Sequence, residues 1–280
     1  MAQHLKPEFN PATSGGCFVG LLDACELQEI EHANYLSVGE RTKYLGLPGE
    51  IRKCEWLAGR LAAKYIFLSG LEPSQQTPNQ QWTPALATLT QKRLGDFSPW
   101  MYQQVEVVTN GGRPCLVWCG QPRSESISLS HAGGVSCASI AFAFGAHTGV
   151  DIETPVSRLD AFYRINFSQA ERRWVTCVAG DESIRSNWFF TLLWTLKESA
   201  LKLGWLNQAS IWNVPRVEID DLPGLDKIRP AWFSNTMSND FSQFTVRVKE
   251  QSRFMEAQVA VTGTRNLVLT VMNPLGGVVK

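Results

Sequence analysis

Two short stretches hold the residue types that could do chemistry. Asp151 and Glu153 lie in Gly149-Val150-Asp151-Ile152-Glu153. In a strand, alternation puts both carboxylates on one face and turns Val150 and Ile152 into the core. Glu198 and Lys202 lie in Trp194-Thr195-Leu196-Lys197-Glu198-Ser199-Ala200-Leu201-Lys202-Leu203-Gly204. Four apart on a helix, they share a face. Two strand carboxylates plus Glu198 would form an oxygen-rich shell for a hard cation such as Mg²⁺, leaving room for water and phosphate oxygens. Each stretch also has a plain alternative. The acids could be a solvated strand edge, and Glu198 with Lys202 a surface ion pair.

His131 is a third candidate. It follows Ser130 and precedes Gly133-Gly134. Glycines allow close backbone approach, which suits a phosphate. The alternative is a locally satisfied histidine at a strand end.

Stepping outward, Trp188, Phe189, Leu192, Leu193, Leu196, Ala200 and Leu203 recur at helical spacing. They predict one long helix from about Asp181 to Leu203, stopped by Gly204. Ser168 and Glu171 form a capping box that starts the helix before it. Upstream, Cys17 to Leu22 reads as a strand, Leu27 to Leu45 and Glu50 to Leu68 as helices. Asn110-Gly111 marks a hairpin between Gln104–Thr109 and Arg113–Cys119. Ile127–Ser130 and Val135–Phe144 follow as strands. Val214–Ile219, Ala231–Ser234, Phe241–Lys249, Glu256–Thr262 and Leu267–Met272 complete the set. Residues 70–104, rich in Gln, Thr and Pro, read as a peripheral loop insertion with a short helix at Ala85–Leu94. The pattern is α+β, with two similar halves at 1–148 and 149–280, each with helices on a small, mainly antiparallel sheet.

The acidic motif followed by Trp194-Thr195-x-Lys197-Glu198-x-x-x-Lys202 resembles the signature of the Sfp-type 4′-phosphopantetheinyl transferases. Ser128-Leu129-Ser130-His131 is similar to that family's Ser-His motif, and Gly112-Arg113-Pro114 to its Gly-Lys-Pro turn. The resemblance runs in order through residues 50 to 205. It implies a pseudo-two-fold pair of halves with the site between them. It implies transfer of the 4′-phosphopantetheine arm of coenzyme A, the co-substrate, to a serine of an apo acyl-carrier or peptidyl-carrier protein. Asp151, Glu153 and Glu198 would then hold Mg²⁺, with Glu198 and Lys202 catalytic. Gly112, Arg113, Pro114, Ser130 and His131 would bind coenzyme A. Arg52 and Arg60 are candidates for its 3′-phosphate, among the basic residues Arg52, Lys53, Arg60 and Lys64. Glu55 departs from the pattern, since many relatives are basic there. Lys197 points away from Glu198, either toward substrate or into structure.

Composition narrows the alternatives. Lys plus Arg equals Asp plus Glu at 26 each, so bulk positive charge cannot drive nucleic-acid binding. That weighs against a metal-dependent nuclease, the rival enzyme class. A catalytically inactive coenzyme A-binding module is the rival without turnover. The seven cysteines include no Cys-x-x-Cys, which suggests reduced thiols in a cytoplasmic protein. Cys115 and Cys119 would share a strand face. The opening residues lack the apolar core of a signal peptide, and Val135 to Ala146 is too short to span a bilayer. A monomer, with no membrane or nucleic-acid partner, is expected.

Overall fold

The computed structural model describes residues 17–27, 31, 34–71, 85–142, 146–203, 217–222, 242–250, 253–264 and 266–275. The expected strand Ala231–Ser234 and the stop at Gly204 lie outside them. So do residues 72–84 of the expected insertion.

In the first half, β1 (Cys17–Asp23) leads through a 3-10 turn to α1 (Val38–Leu45) and α2 (Glu50–Leu71). Then come β2 (Ala85–Leu89), α3 (Gln91–Leu94), α4 (Pro99–Gln104), β3 (Val105–Asn110) and β4 (Arg113–Trp118). β5 (Gln121–Pro122), β6 (Ser126–Ala132) and β7 (Val135–Ala141) complete it. One sheet runs β2-β1-β7-β6, and β3-β4-β5 forms another. Helix α2 lies across β1 and β7, burying Leu57, Leu61, Ala62, Ile66 and Phe67.

Three expectations shift here. Helix α1 begins only at Val38, because Ser37 accepts from the Glu40 amide while Glu40 accepts from the Ser37 amide. Residues 85–89 are not helix but strand, paired in parallel with β1. Thr90 then caps α3, and Leu89, Leu94, Phe97 and Tyr102 enter the core. Tertiary pairing overrides the helical preference of Ala and Leu. Part of the expected peripheral insertion is therefore an edge strand and core. In the hairpin, Asn110 pairs with Arg113, so Gly111 and Gly112 make the turn, at φ 56° and 82°. Cys119 falls in the turn after β4, at φ 51°, so it does not share a strand with Cys115. None of the seven cysteines is in a disulfide.

In the second half, β8 (Gly149–Glu153) is followed by α5 (Asp160–Asn166), α6 (Gln169–Ala179) and α7 (Ser183–Lys202). β9 (Val217–Ile219), β10 (Ser242–Glu250), β11 (Arg253–Thr264) and β12 (Leu267–Pro274) follow. The sheet order is β8-β12-β11-β10-β9, antiparallel throughout. Helix α7 covers it, burying Trp188, Phe189, Leu192, Leu193 and Leu196. Among the described residues, no helix is long and apolar enough to cross a membrane.

One device occurs twice. Ser168 and Glu171 cap α6 as Ser37 and Glu40 cap α1. Glu40 pairs with buried Lys64 of α2, and its second oxygen accepts the Val107 amide at 3.0 Å. Glu171 pairs with buried Lys197 of α7 at 2.8 Å, and its second oxygen accepts the Ile219 amide at 3.0 Å. Lys64 also donates to the Tyr35 carbonyl, and Lys197 to that of Asn166, each two residues before the cap. Burial lowers both lysine pKa values, and the neighbouring glutamate opposes it.

The halves meet along β6 and β8. Ser128 Oγ accepts the Val150 amide at 3.0 Å, and Ser126 Oγ accepts the Thr148 amide at 3.2 Å. Behind this seam, Val19, Leu21, Cys137, Val150, Ile152 and Leu269 form a shared core.

Candidate active site

Strand β8, its neighbour β6 and helix α7 bring the site together. Alternation places Val150 and Ile152 in the shared core, as expected, but Asp151 is buried too, 3% exposed. Asp151 Oδ1 accepts from Ser130 Oγ at 2.7 Å and from Lys202 Nζ at 2.7 Å. Lys202 also donates to the Val150 carbonyl at 3.2 Å. Four motif residues from three elements are thus tied into one cluster.

Helix α7 comes this close because position 149 is glycine. A Cβ there would overlap the Ser199 carbonyl. Lys202 is part-buried, its side chain 27% exposed, and its ion pair is with Asp151. Burial pulls its pKa down, but the charge and hydrogen bond of Asp151 outweigh it and the net shift is upward. The plain reading of Glu198 and Lys202 as a solvent-facing pair does not describe this geometry.

Glu198 lies in the same field. Burial, then the Asp151 charge, raises its carboxyl to about 7, with Glu153 adding to the rise and Lys202 opposing it. Burial also raises Glu153, followed by the Asp151 charge. The three acids therefore sense one another. They are not drawn into a formed three-ligand cluster; among the described residues there is none. At Asp151, Oδ1 is taken by Lys202 and Ser130. Two carboxylate oxygens, Asp151 Oδ2 and Glu198 Oε1, are buried without a partner. Buried oxygens are normally satisfied, and hard acceptors with negative charge fit a divalent cation.

The expected coenzyme-binding residues fall in three places. Ser130 belongs to the acidic cluster. His131, next to it on β6, is half exposed, with Nδ1 3.4 Å from Glu55 Oε2 of α2. An acid therefore stands beside the histidine expected to meet phosphate. Arg60 stacks on Trp56, its guanidinium carbon 3.5 Å from the ring centroid. Its Nε is buried and unpartnered, and burial lowers its pKa to about 10. Arg52 is exposed near the start of α2. Gly112, Arg113 and Pro114 sit at the β3–β4 turn, in a different sheet from Asp151. The structure does not join them to the acidic cluster.

One basic residue is corrected, and an open alternative is narrowed for another. Lys64 is wholly buried in its pair with Glu40, not on a phosphate-facing surface. Lys197 is tied to Glu171 and is structural.

Sequence reasoning missed a cleft beside Glu153. It is lined by Glu153, Arg158, Phe162, Tyr163, Phe190 and Trp194. Phe162 and Trp194 have ring centroids 5.1 Å apart, and Tyr163 and Phe190 4.4 Å apart. The signal was Phe162-Tyr163 ahead of the capping box, on a short helix that periodicity did not reveal.

Comparison with family models matches residues 147–258 to the 4′-phosphopantetheinyl transferase superfamily. The match supports phosphopantetheine transfer in general. It starts just before β8, spans Asp151, Glu153, Glu198 and Lys202, and ends within β11. No curated protein matches the chain.

Proposed function

We propose that the protein transfers the 4′-phosphopantetheine arm of coenzyme A to a serine of an apo acyl- or peptidyl-carrier protein, releasing adenosine 3′,5′-bisphosphate. One observation carries this reading. Within the matched residues, Asp151, Glu198 and Lys202 converge with two unpartnered buried carboxylate oxygens.

Asp151, Glu153 and Glu198 would hold a divalent cation, Mg²⁺ in this reading. When bound, it supplies positive charge against the coenzyme's pyrophosphate. The protein's own groups do the rest. Glu198 takes the proton of the carrier serine. The serine oxygen bonds to the phosphorus bearing the pantetheine arm, and the bond to the adenosine-side phosphate oxygen breaks. Lys202 leaves Asp151 to stabilise the charge on that leaving phosphate. Arg60 and His131 are candidates for phosphate contacts.

The Sfp-type reading adds a pseudo-two-fold relation between the halves. The repeated Ser–Glu–Lys device supports it, since caps, ion pairs and backbone acceptors recur at matching places. The enzyme is expected to act as a cytoplasmic monomer.

The test is turnover. Purified protein is incubated with coenzyme A, Mg²⁺ and a panel of apo carrier proteins, and each carrier is weighed by mass spectrometry. The expected result is a mass gain of one phosphopantetheine arm, lost when metal is chelated. Tight coenzyme A binding with no gain on any carrier would favour the inactive binding module.

A further inference from the structure

β12 reads Leu267-Val268-Leu269-Thr270-Val271-Met272, an apolar run interrupted by one threonine. A valine would suit a buried strand at least as well, so the hydroxyl calls for a reason. Thr270 is wholly buried, as are Thr195 and Ser199 of α7. Thr270 Oγ1 donates to the Thr195 carbonyl at 3.0 Å. Its Oγ1 also meets Ser199 Oγ at 2.7 Å, a contact in which either hydroxyl can be the donor. Ser199 Oγ also reaches the Thr270 carbonyl at 3.4 Å.

The positions matter as much as the bonds. Thr195 and Ser199 bracket Glu198 on α7. Thr270 is the ladder partner of Asp151 across β12 and β8. One buried hydroxyl therefore joins the turn of helix that carries Glu198 to the strand position that holds Asp151. On the other side of the same turn, the Ser199 carbonyl rests on Gly149. The helix is pressed down at Gly149 and fixed in register at Thr270.

We infer that Thr270 is a positioning residue: through Ser199 and Thr195 it sets the register of Glu198 against Asp151, and so the affinity of the acidic pair for a divalent cation. This rests on the transferase reading for the role of the cation. It goes beyond that reading in the residue it assigns, which lies outside the matched residues 147–258. Groups outside the ligand set that orient it typically change metal affinity by about 10- to 100-fold when removed.

Thr270→Val keeps the shape and removes the hydroxyl, while Thr270→Ser keeps the hydroxyl. Mn²⁺ binding is measured without coenzyme A, from the electron paramagnetic resonance signal of the free ion. Thr270→Val should weaken Mn²⁺ binding about tenfold, with coenzyme A affinity by calorimetry unchanged. Thr270→Ser should restore Mn²⁺ binding to near wild type. In transfer assays the Mg²⁺ needed for half-maximal rate should rise by a like factor, and the rate at saturating Mg²⁺ should recover. Wild-type Mn²⁺ affinity in Thr270→Val would overturn the assignment. So would an equal loss in Thr270→Ser, which would mark a packing effect, or a wild-type protein that binds no Mn²⁺. If Thr270→Val does not fold, Ser199→Ala breaks the same link, and unchanged Mn²⁺ binding there overturns the assignment. Absence of transfer by the wild type would remove the transferase reading alone, because the Mn²⁺ comparison still decides the role of Thr270.

Discussion

The Ser199 carbonyl of α7 rests directly on Gly149 of β8, in the space that any side chain at 149 would fill. Backbone meets backbone there, so neither partner can turn aside. Gly149→Ala should push α7 away from β8 and cost about 1–3 kcal/mol of stability. Transfer should fall further than that loss implies, since Glu198 and Lys202 move with the helix. Melting curves beside transfer rates check it. A folded variant with normal rates would mean that α7 can shift without disturbing the site.

Asp151 is the hub of the cluster, bonded to Ser130 and Lys202. Asp151→Ala should abolish metal-dependent transfer while circular dichroism still reports a folded protein. It removes a charge and a geometry at once. Rates measured across a Mg²⁺ titration decide it, and near-normal turnover would take Asp151 out of the metal site.

Glu198 gives a prediction for the metal-free protein. Burial and the neighbouring acids raise its carboxyl from 4.5 to about 7. A carboxyl raised in the folded state stabilises the fold below its unfolded pKa, and the contribution fades as pH climbs through the folded value. Wild type should thus lose stability between about pH 4.5 and 7 relative to Glu198→Gln. The gap should reach on the order of 1–3 kcal/mol at pH 8. Divalent metal should reverse the order, because it binds the carboxylate better than the amide. Denaturant melts at three pH values, with and without Mg²⁺, are the measurement.

Lys197 and Lys202 should separate cleanly. Lys197→Ala strands buried Glu171, and breaking such a pair costs about 3–5 kcal/mol. Lys64→Ala should cost a similar amount by stranding Glu40. At a temperature where both variants are folded, coenzyme A affinity should be normal. Lys202→Ala should instead slow single-turnover transfer more than it weakens coenzyme A binding. A specific loss of coenzyme A affinity in folded Lys197→Ala would return that residue to the substrate.

Arg60 and His131 are candidates for phosphate contacts. Replacing either with alanine should weaken coenzyme A more than 3′-dephospho-coenzyme A if it meets the 3′-phosphate. Calorimetry with both ligands tells the cases apart. Equal losses would assign the residue to the pyrophosphate or to the fold.

Much of the site was legible because its parts follow strong local rules. Alternation on β8, the periodicity of α7 and the Ser168–Glu171 capping box each depend on neighbours in sequence. What stayed hidden depends on distant partners. Lys197 and Lys64 read as ordinary helix cations until Glu171 and Glu40 are seen beneath them. Lys202 reads as the companion of Glu198 until Asp151 takes it. The strand at 85–89 has helix-forming residues and becomes β only by pairing with β1. Thr270 belongs to no motif, and only the fold sets it across from Asp151.

The strand order carries a consequence for how the protein is made. β8 begins the second half, yet among the described residues its ladder partner in that sheet is β12. A growing chain therefore synthesises Asp151 well before Thr270, the residue that will sit beside it. The Ser–Glu caps are local and can close early, and the Glu–Lys pairs span 24 and 26 residues, whereas this strand pairing belongs to the slow, long-range class. Until β12 emerges, Val150 and Ile152 lack Leu269 and Val271 in their core, the kind of exposure that makes folding intermediates prone to aggregate. The acidic cluster thus gains its ladder partner only with β12, so an assembled cluster is also a report that β8 and β12 have paired.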